Sequence, residues 1–178
     1  PLEIDNVLDS RITLGASSYL EVFHGFLTGR PPAVDLKLEK LVQSFLRKSI
    51  SHGYICSAHD VSDGGIAITL AESSISSNLG LHCQLPLSDA RLDRLLFAEG
   101  GARIVVSISS ENETAWNTLL NEYNVENSCT LKATKLGTVS NNKEFLITQD
   151  DNIIINLPVS DLSKSFYNAI SRRINAQK

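Results

Sequence analysis

The stretch Ile104-Val105-Val106-Ser107-Ile108 restricts the fold of this chain more than any other, because only Ser107 in it is polar. A run so short and so apolar reads as a strand that needs cover on both faces, which predicts a strand over 102–109 lying centrally in a sheet. Cover of the right kind is encoded earlier. Asp35 opens an amphipathic helix in which Leu38, Leu41, Val42, Phe45, Leu46 and Ser49 share one stripe, with Lys37, Lys40, Arg47 and Lys48 largely outside it. Gly53, following His52 in the last turn, ends that helix.

The rest of the chain alternates in the same manner. Ser17 or Ser18 caps a helix carrying Tyr19, Val22, Phe23 and Phe26, and Gly29-Arg30-Pro31-Pro32 stops it. A strand is predicted over 54–58, then a loop over 59–63, then Gly64-Gly65 and a helix through Ile66, Leu70, Ala71 and Ser74. Leu79, Leu81, Cys83 and Leu85 alternate as in a half-buried strand, and 92–99 reads as helix or turn. A helix over 111–123 carries Glu111 and Glu113 at its positive end. Strands follow over 131–139, 145–148 and 153–157, separated by Asn141-Asn142 and Asp150-Asp151-Asn152. Ser160 caps a last helix with Leu162, Phe166, Ala169 and Ile170 on one face. The expected fold class is α+β in α/β layers: a mixed β-sheet of about five to six strands flanked by about four to five helices. Pro1–Leu14 reads as a linker or edge segment, and 15–178 as a single domain.

The 178 residues carry a formal net charge of -4, with lysine and arginine scattered, and this excludes the clustered basic face of a nucleic-acid binder. No apolar run reaches the length of a membrane span, and 1–11 lacks the pattern of a signal peptide. Cys56, Cys83 and Cys129 are odd in number and far apart, which fits a reducing compartment and predicts a cytoplasmic location. The chain has no methionine and starts at Pro1, and the expectation is that it is cut from a longer one. Cys56 and Trp116 are expected in the core, as are Phe45 and Phe97, and His24 and His52 read as helix-end groups. His82 and Cys83 point to opposite sides of their strand, so they do not share a metal easily.

The chemistry-bearing stretch is Ser57-Ala58-His59-Asp60-Val61-Ser62-Asp63-Gly64-Gly65-Ile66-Ala67. A strand runs into a polar loop, two glycines follow, and a helix begins. Adjacent glycines can turn N–H groups to one side, and the helix start adds positive potential there, so together they can hold a phosphate. Asp60 and Asp63 would repel a bare phosphate. That reading therefore needs Mg²⁺ between them, with Asp63 the candidate metal ligand, or one carboxylate acting as a helix cap. The other reading is a capped tight turn, with Asp60 or Ser62 accepting helix N–H bonds and the glycines permitting close helix–strand packing. A lone Asp-x-x-Asp-Gly-Gly is a weak pattern, and the residues alone favour the turn.

His59-Asp60-Val61-Ser62-Asp63-Gly64-Gly65 followed by Ile66-Ala67-Ile68-Thr69-Leu70-Ala71-Glu72 resembles the signature of phosphoribosylformylglycinamidine (FGAM) synthases, in the superfamily of aminoimidazole ribonucleotide synthase. Leu14-Gly15-Ala16-Ser17-Ser18-Tyr19-Leu20, Arg30-Pro31-Pro32, Leu95-Leu96-Phe97-Ala98-Glu99 and Leu136-Gly137-Thr138-Val139 match in order, so the resemblance spans nearly the whole chain. It implies a fold like the C-terminal domain of aminoimidazole ribonucleotide synthase, within an ATP- and Mg²⁺-dependent carbon–nitrogen ligase of purine biosynthesis. The implied partners are the remaining domains of the synthase chain, a glutaminase subunit and a small accessory subunit. The family's catalytic histidine lies in a domain absent here, so no catalytic residue and no cofactor of its own is assigned to this chain. The family's active unit opens this signature with Gln-Asp and later carries Glu-Ser-Gln. His59-Asp60 and Glu99-Gly100-Gly101 stand in those places and agree with the second, degenerate unit. The implied ligand or domain-interface loop is thus His59, Asp60, Ser62, Asp63, Gly64, Gly65 and Glu99, in a non-catalytic, pseudo-active half that is inactive alone. Two alternatives stay open: a catalytic partner domain of another superfamily member, and an independent nucleotide-binding or interaction module.

Overall fold

The computed structural model describes residues 10–86, 88 and 90–176. The first nine residues of the expected linker lie outside these. Two compact units are built from interleaved stretches of chain: Pro1–Thr69 with Ala90–Thr134, and Leu70–Asp89 with Lys135–Lys178.

The first unit contains α1 (Ser18–His24), α2 (Leu36–Ser51), β1 (Ile55–Asp60), the start of α3 (Gly65–Ser77), α4 (Leu92–Phe97), β3 (Ile104–Ile108) and α5 (Glu113–Glu126). Its core follows directly from the stripe on α2. Phe45 meets Trp116, Leu119, Leu120 and Tyr123 of α5, and Leu41, Tyr54, Ile55, Val106 and Ile108 close around them. Burying each such large side chain stabilises the fold by roughly 1.5–3 kcal/mol. The polar atoms drawn in with them are paired. Trp116 Nε1 donates to Ser49 Oγ at 3.1 Å, Ser49 Oγ donates to the Phe45 carbonyl at 2.9 Å, and Tyr123 OH donates to the Leu41 carbonyl at 3.2 Å. Asp35 caps α2 as expected, accepting from Leu38 N at 3.0 Å, and Ser17 caps α1.

β1 and β3 pair antiparallel, His59 opposite Val105 and Asp60 opposite Ile104, in a two-stranded sheet. The expected central position of β3 is therefore corrected: among the described residues it pairs only with β1, and all five of its residues are half-buried. An apolar run reports that both faces of a strand want cover; it does not report how many strands lie beside it. Cys56 is also corrected, being exposed rather than buried. The register slips between Ile55 and Ser57, and the intervening Cys56 is left without a partner across the ladder.

The second unit holds β2 (Gly80–Gln84), β4 (Gly137–Ser140), β5 (Glu144–Gln149), β6 (Asn152–Pro158), α6 (Val159–Tyr167) and α7 (Ala169–Ala176). The strands form one mixed sheet in the order β4-β2-β5-β6, with β2–β5 parallel and the outer pairs antiparallel. Leu81, Cys83, Phe145, Ile147 and Val159 are buried, and His82 is exposed on the opposite side from Cys83, as the alternation requires. The strand expected over 131–139 is confined to Gly137–Ser140. At Leu131 the backbone is taken by a side chain instead: Leu131 N donates to Asn124 Oδ1 at 2.8 Å and Asn124 Nδ2 donates to the Leu131 carbonyl at 2.9 Å. The expected last helix is divided at Asn168, and α6 begins after Pro158 without a side-chain cap from Ser160.

Candidate functional site

The sequence-predicted loop lies in the first unit, at the end of β1. The strand delivers His59 and Asp60, which line a shallow recess of about 430 Å³ together with Leu46, Ala58 and Ile104. His59 Nδ1 lies 2.8 Å from the Asp60 carbonyl and 3.7 Å from its Oδ1, and the Asp60 carboxylate is 76% exposed. Val61 N donates to the Arg103 carbonyl at 3.0 Å, which ends the ladder. Ser62 and Asp63 follow on the surface, and Gly64 and Gly65 are buried.

Both glycines have left-handed backbones, with φ of 76° and 66°. A side chain at Gly65 would stand 2.7 Å from the Phe97 carbonyl carbon and 2.8 Å from the oxygens of Leu96 and Ala98. Close approach to the end of α4 is the physical need that this glycine meets. Thr69 Oγ1, one turn on, donates to the carbonyls of Gly65 and Asp60 at 3.1 and 3.2 Å, locking the strand end to the helix.

The end of α4 brings Glu99 to the loop. Glu99 Oε1 accepts from Gly64 N at 2.9 Å and from Ser18 N, at the start of α1, at 2.8 Å. Its backbone pairs with Thr13 in both directions, at 3.0 and 2.9 Å. Two segments far from it in sequence, 13–18 and the turn at Gly64, thus converge on Glu99. Arg103 supports the turn that carries it, donating from Nη2 to the Ala98 carbonyl at 2.7 Å, and Arg94 Nη2 donates to the Ile12 carbonyl at 3.1 Å. Gly100 passes so close to the 11–12 segment that a Cβ there would overlap the Arg11 carbonyl oxygen.

This geometry alters the expected cap. Among the described hydrogen bonds neither the Asp60 carboxylate nor the Ser62 hydroxyl accepts a helix N–H; Gly65 N donates to the Ser62 backbone carbonyl at 3.1 Å, and Glu99 serves Gly64. Glu99 was legible as a member of the loop, but its attachment to Ser18 was not, since nothing local links residues separated by 81 positions. His24 and His52 stand at helix ends as expected, with His52 Nδ1 2.7 Å from the Lys48 carbonyl. Phe97, expected in the core, is half-buried and stacks on Tyr19 at 4.7 Å.

The Gly64 N–H already meets a carboxylate, and among the described residues no group of three or more His, Cys, Asp or Glu side chains could hold a metal. Among the described residues no helix is long and apolar enough to cross a membrane.

Comparison with known proteins agrees with the motifs. The family described as "AIR synthase related protein, C-terminal domain" matches residues 7–148. The subunit PurL of phosphoribosylformylglycinamidine synthase from Prochlorococcus marinus (strain MIT 9303) is 51% identical over 174 residues, covering 98% of this chain and 22% of that protein. This chain thus spans under a quarter of the length of the curated relatives it matches. Two solved structures share the fold at a TM-score of 0.63: Thermotoga maritima PurL complexed with ATP, at 17% identity, and PurLQS from the same organism, at 19%, each covering 84% of this chain and 24% of the other. The chain belongs to the family of AIR synthase related proteins, as a C-terminal domain of that family.

Proposed function

We propose that this chain is the C-terminal domain of the second tandem unit of an FGAM synthase, with 15–178 as one domain, and that it is the non-catalytic half of that enzyme. The chain passes between its two compact units at 69, 89 and 134. The observation that carries the non-catalytic reading is Gly100-Gly101 in place of the active unit's Ser-Gln; Glu99, which both units have, occupies the Gly64 N–H. A glycine-rich turn before a helix is an anion site, and here the anion is supplied from within the chain. The place of the active unit's serine is filled by Gly100, where any side chain would run into Arg11. The serine donor is therefore missing for a steric reason, and the glutamine donor is missing because Gly101 has no side chain.

In the parent reaction ATP phosphorylates the amide oxygen of formylglycinamide ribonucleotide, and ammonia displaces the phosphate to give FGAM. This chain contributes no reacting group to those steps. It scaffolds the ATP-facing domains, in a cytoplasmic complex with a glutaminase and a small accessory subunit. Asp63, exposed beside the turn, is the carboxylate left for a metal or a neighbouring domain.

The test is replacement of the matching segment of the Prochlorococcus synthase subunit by this chain, with ADP release measured in the presence of formylglycinamide ribonucleotide and ammonia. The chimera is expected to turn over and the isolated chain to be silent. A folded chimera without turnover refutes the assignment. Turnover by the isolated chain that disappears in His59→Ala refutes the non-catalytic part.

A further inference from the structure

The helix α1 and the segment after it carry an apolar surface that is exposed among the described residues. Val22, Phe23, Phe26, Leu27, Val34 and Leu36 are between 57% and 78% exposed, and α1 has no buried residue. The helix expected to carry Val22 and Phe23 is present, and both side chains are exposed on it. Between Val22 and Leu36 the charged side chains are Arg30 and Asp35 alone, and Asp35 pairs with Arg11 at 3.8 Å. A concentration of exposed apolar side chains of this kind marks an interaction site.

The surface is also preorganised. Residues 25–35 lack regular secondary structure, yet Ala16 N donates to the Thr28 carbonyl at 2.7 Å and Ala33 N donates to the Ser10 carbonyl at 2.8 Å. Gly15 and Gly29 allow the two backbones to touch, a Cβ on Gly29 standing 2.9 Å from the Gly15 Cα. Tyr19 stacks on Phe97 at 4.7 Å and meets Phe23 at 5.0 Å, so the aromatic part is held from beneath. Little order has to be gained on docking, which favours a tight contact per unit area.

We infer that this surface is the seat of the preceding part of the parent synthase chain, an inference that rests on the functional reading above. Two observations select that occupant. The relatives are far longer than this chain, which covers 22% of the Prochlorococcus subunit, so the parent has ample chain to supply a partner surface. The described chain also enters here. Ser10 is hydrogen-bonded to Ala33 beside the exposed Val34, and Thr13 is paired with Glu99 beside α1. Ser10 itself thus lies at the edge of the apolar surface, so preceding chain of the parent synthase would be tethered near it at high effective concentration. A nearly uncharged face suits a permanent apolar contact within one chain rather than a steered, transient encounter.

The test reads access to the surface. In a Cys56→Ser background, Val22→Cys is labelled with an uncharged maleimide in this chain and in the synthase chimera, with Val125→Cys on the 80% exposed position of α5 as the reference. The expected result is rapid labelling at position 22 in this chain, slowed at least tenfold in the chimera, with the reference unchanged between the two. Equal rates at position 22 in a chimera that turns over refute this inference and leave the functional assignment standing. Protection already present in this chain, with a dimer by ultracentrifugation, assigns the surface to a second copy and refutes it as well. A folded chimera without turnover refutes the functional reading and this inference with it.

Discussion

Gly65 is the position where the loop geometry makes its sharpest demand, and Gly65→Ala measures it. Two costs add. The backbone φ of 66° is left-handed, which a residue with a Cβ adopts at about 1–2 kcal/mol. The new Cβ also meets three backbone atoms at 2.7–2.8 Å, none of which can rotate away, so α3 or the end of α4 must shift, at about 1–3 kcal/mol. The expected loss is about 2–5 kcal/mol, or on the order of 4–20 °C in melting temperature for a chain of this size. Gly53→Ala isolates the first cost: its φ is 72° but nothing lies within 4 Å of the new Cβ, so about 1–2 kcal/mol is expected. Gly101→Ala is the complementary control. There the Cβ meets only the Glu39 side chain, which can turn aside, and a change within about 0.5 kcal/mol is expected. Urea titrations of the three variants, with the slope checked for a constant unfolding area, give the comparison. If Gly65→Ala is no less stable than Gly53→Ala, close packing against α4 is not what this glycine provides, and the account of the loop fails.

Glu99→Ala leaves two backbone donors, one of them buried, without their acceptor, and should cost about 2–4 kcal/mol in urea melts; Glu99→Gln keeps an acceptor and should lose about 1 kcal/mol. Asp60→Ala should leave the melting temperature unchanged, because the exposed carboxylate caps no helix among the described hydrogen bonds. Trp116→Phe removes the donor to Ser49 Oγ and should cost about 1 kcal/mol, read by chemical denaturation. Burial pushes the Cys83 thiol up to about 11, so iodoacetamide at pH 8 should modify the exposed Cys56 and spare Cys83 in the native chain. The unfolded chain releases this proton near 9.0 and the folded chain holds it, so the Cys83 contribution to stability is complete below pH 9 and is lost as pH rises toward 11. Cys83→Ala should flatten that part of a stability–pH profile.

Local chemistry was legible in the residues themselves. The stripe on α2 and the Asp35 cap needed only helical spacing and a side chain able to reach an N–H three residues on, and both are present as expected. The alternation of 79–85 placed Cys83 inward and His82 outward because a strand has a period of two wherever it sits. The turn before α3 was legible from its polar residues and paired glycines, but His59 and Asp60, expected in the loop over 59–63, belong to β1. What the tertiary structure alone decided are relations between segments. The pairing of β2 with β5 joins Leu81 to Phe145, and no local pattern distinguishes it from other partners of equal hydrophobicity. β3 was apolar enough for a central strand and lies beside β1 alone among the described residues. The exposed face of α1 has the same periodicity as a buried one, because amphipathic spacing records that a face will be covered and not by what. Glu99 is the clearest case: its carboxylate joins Ser18 and Gly64 only because the antiparallel pairing of β1 with β3 and the close approach at Gly65 bring those three residues to one point.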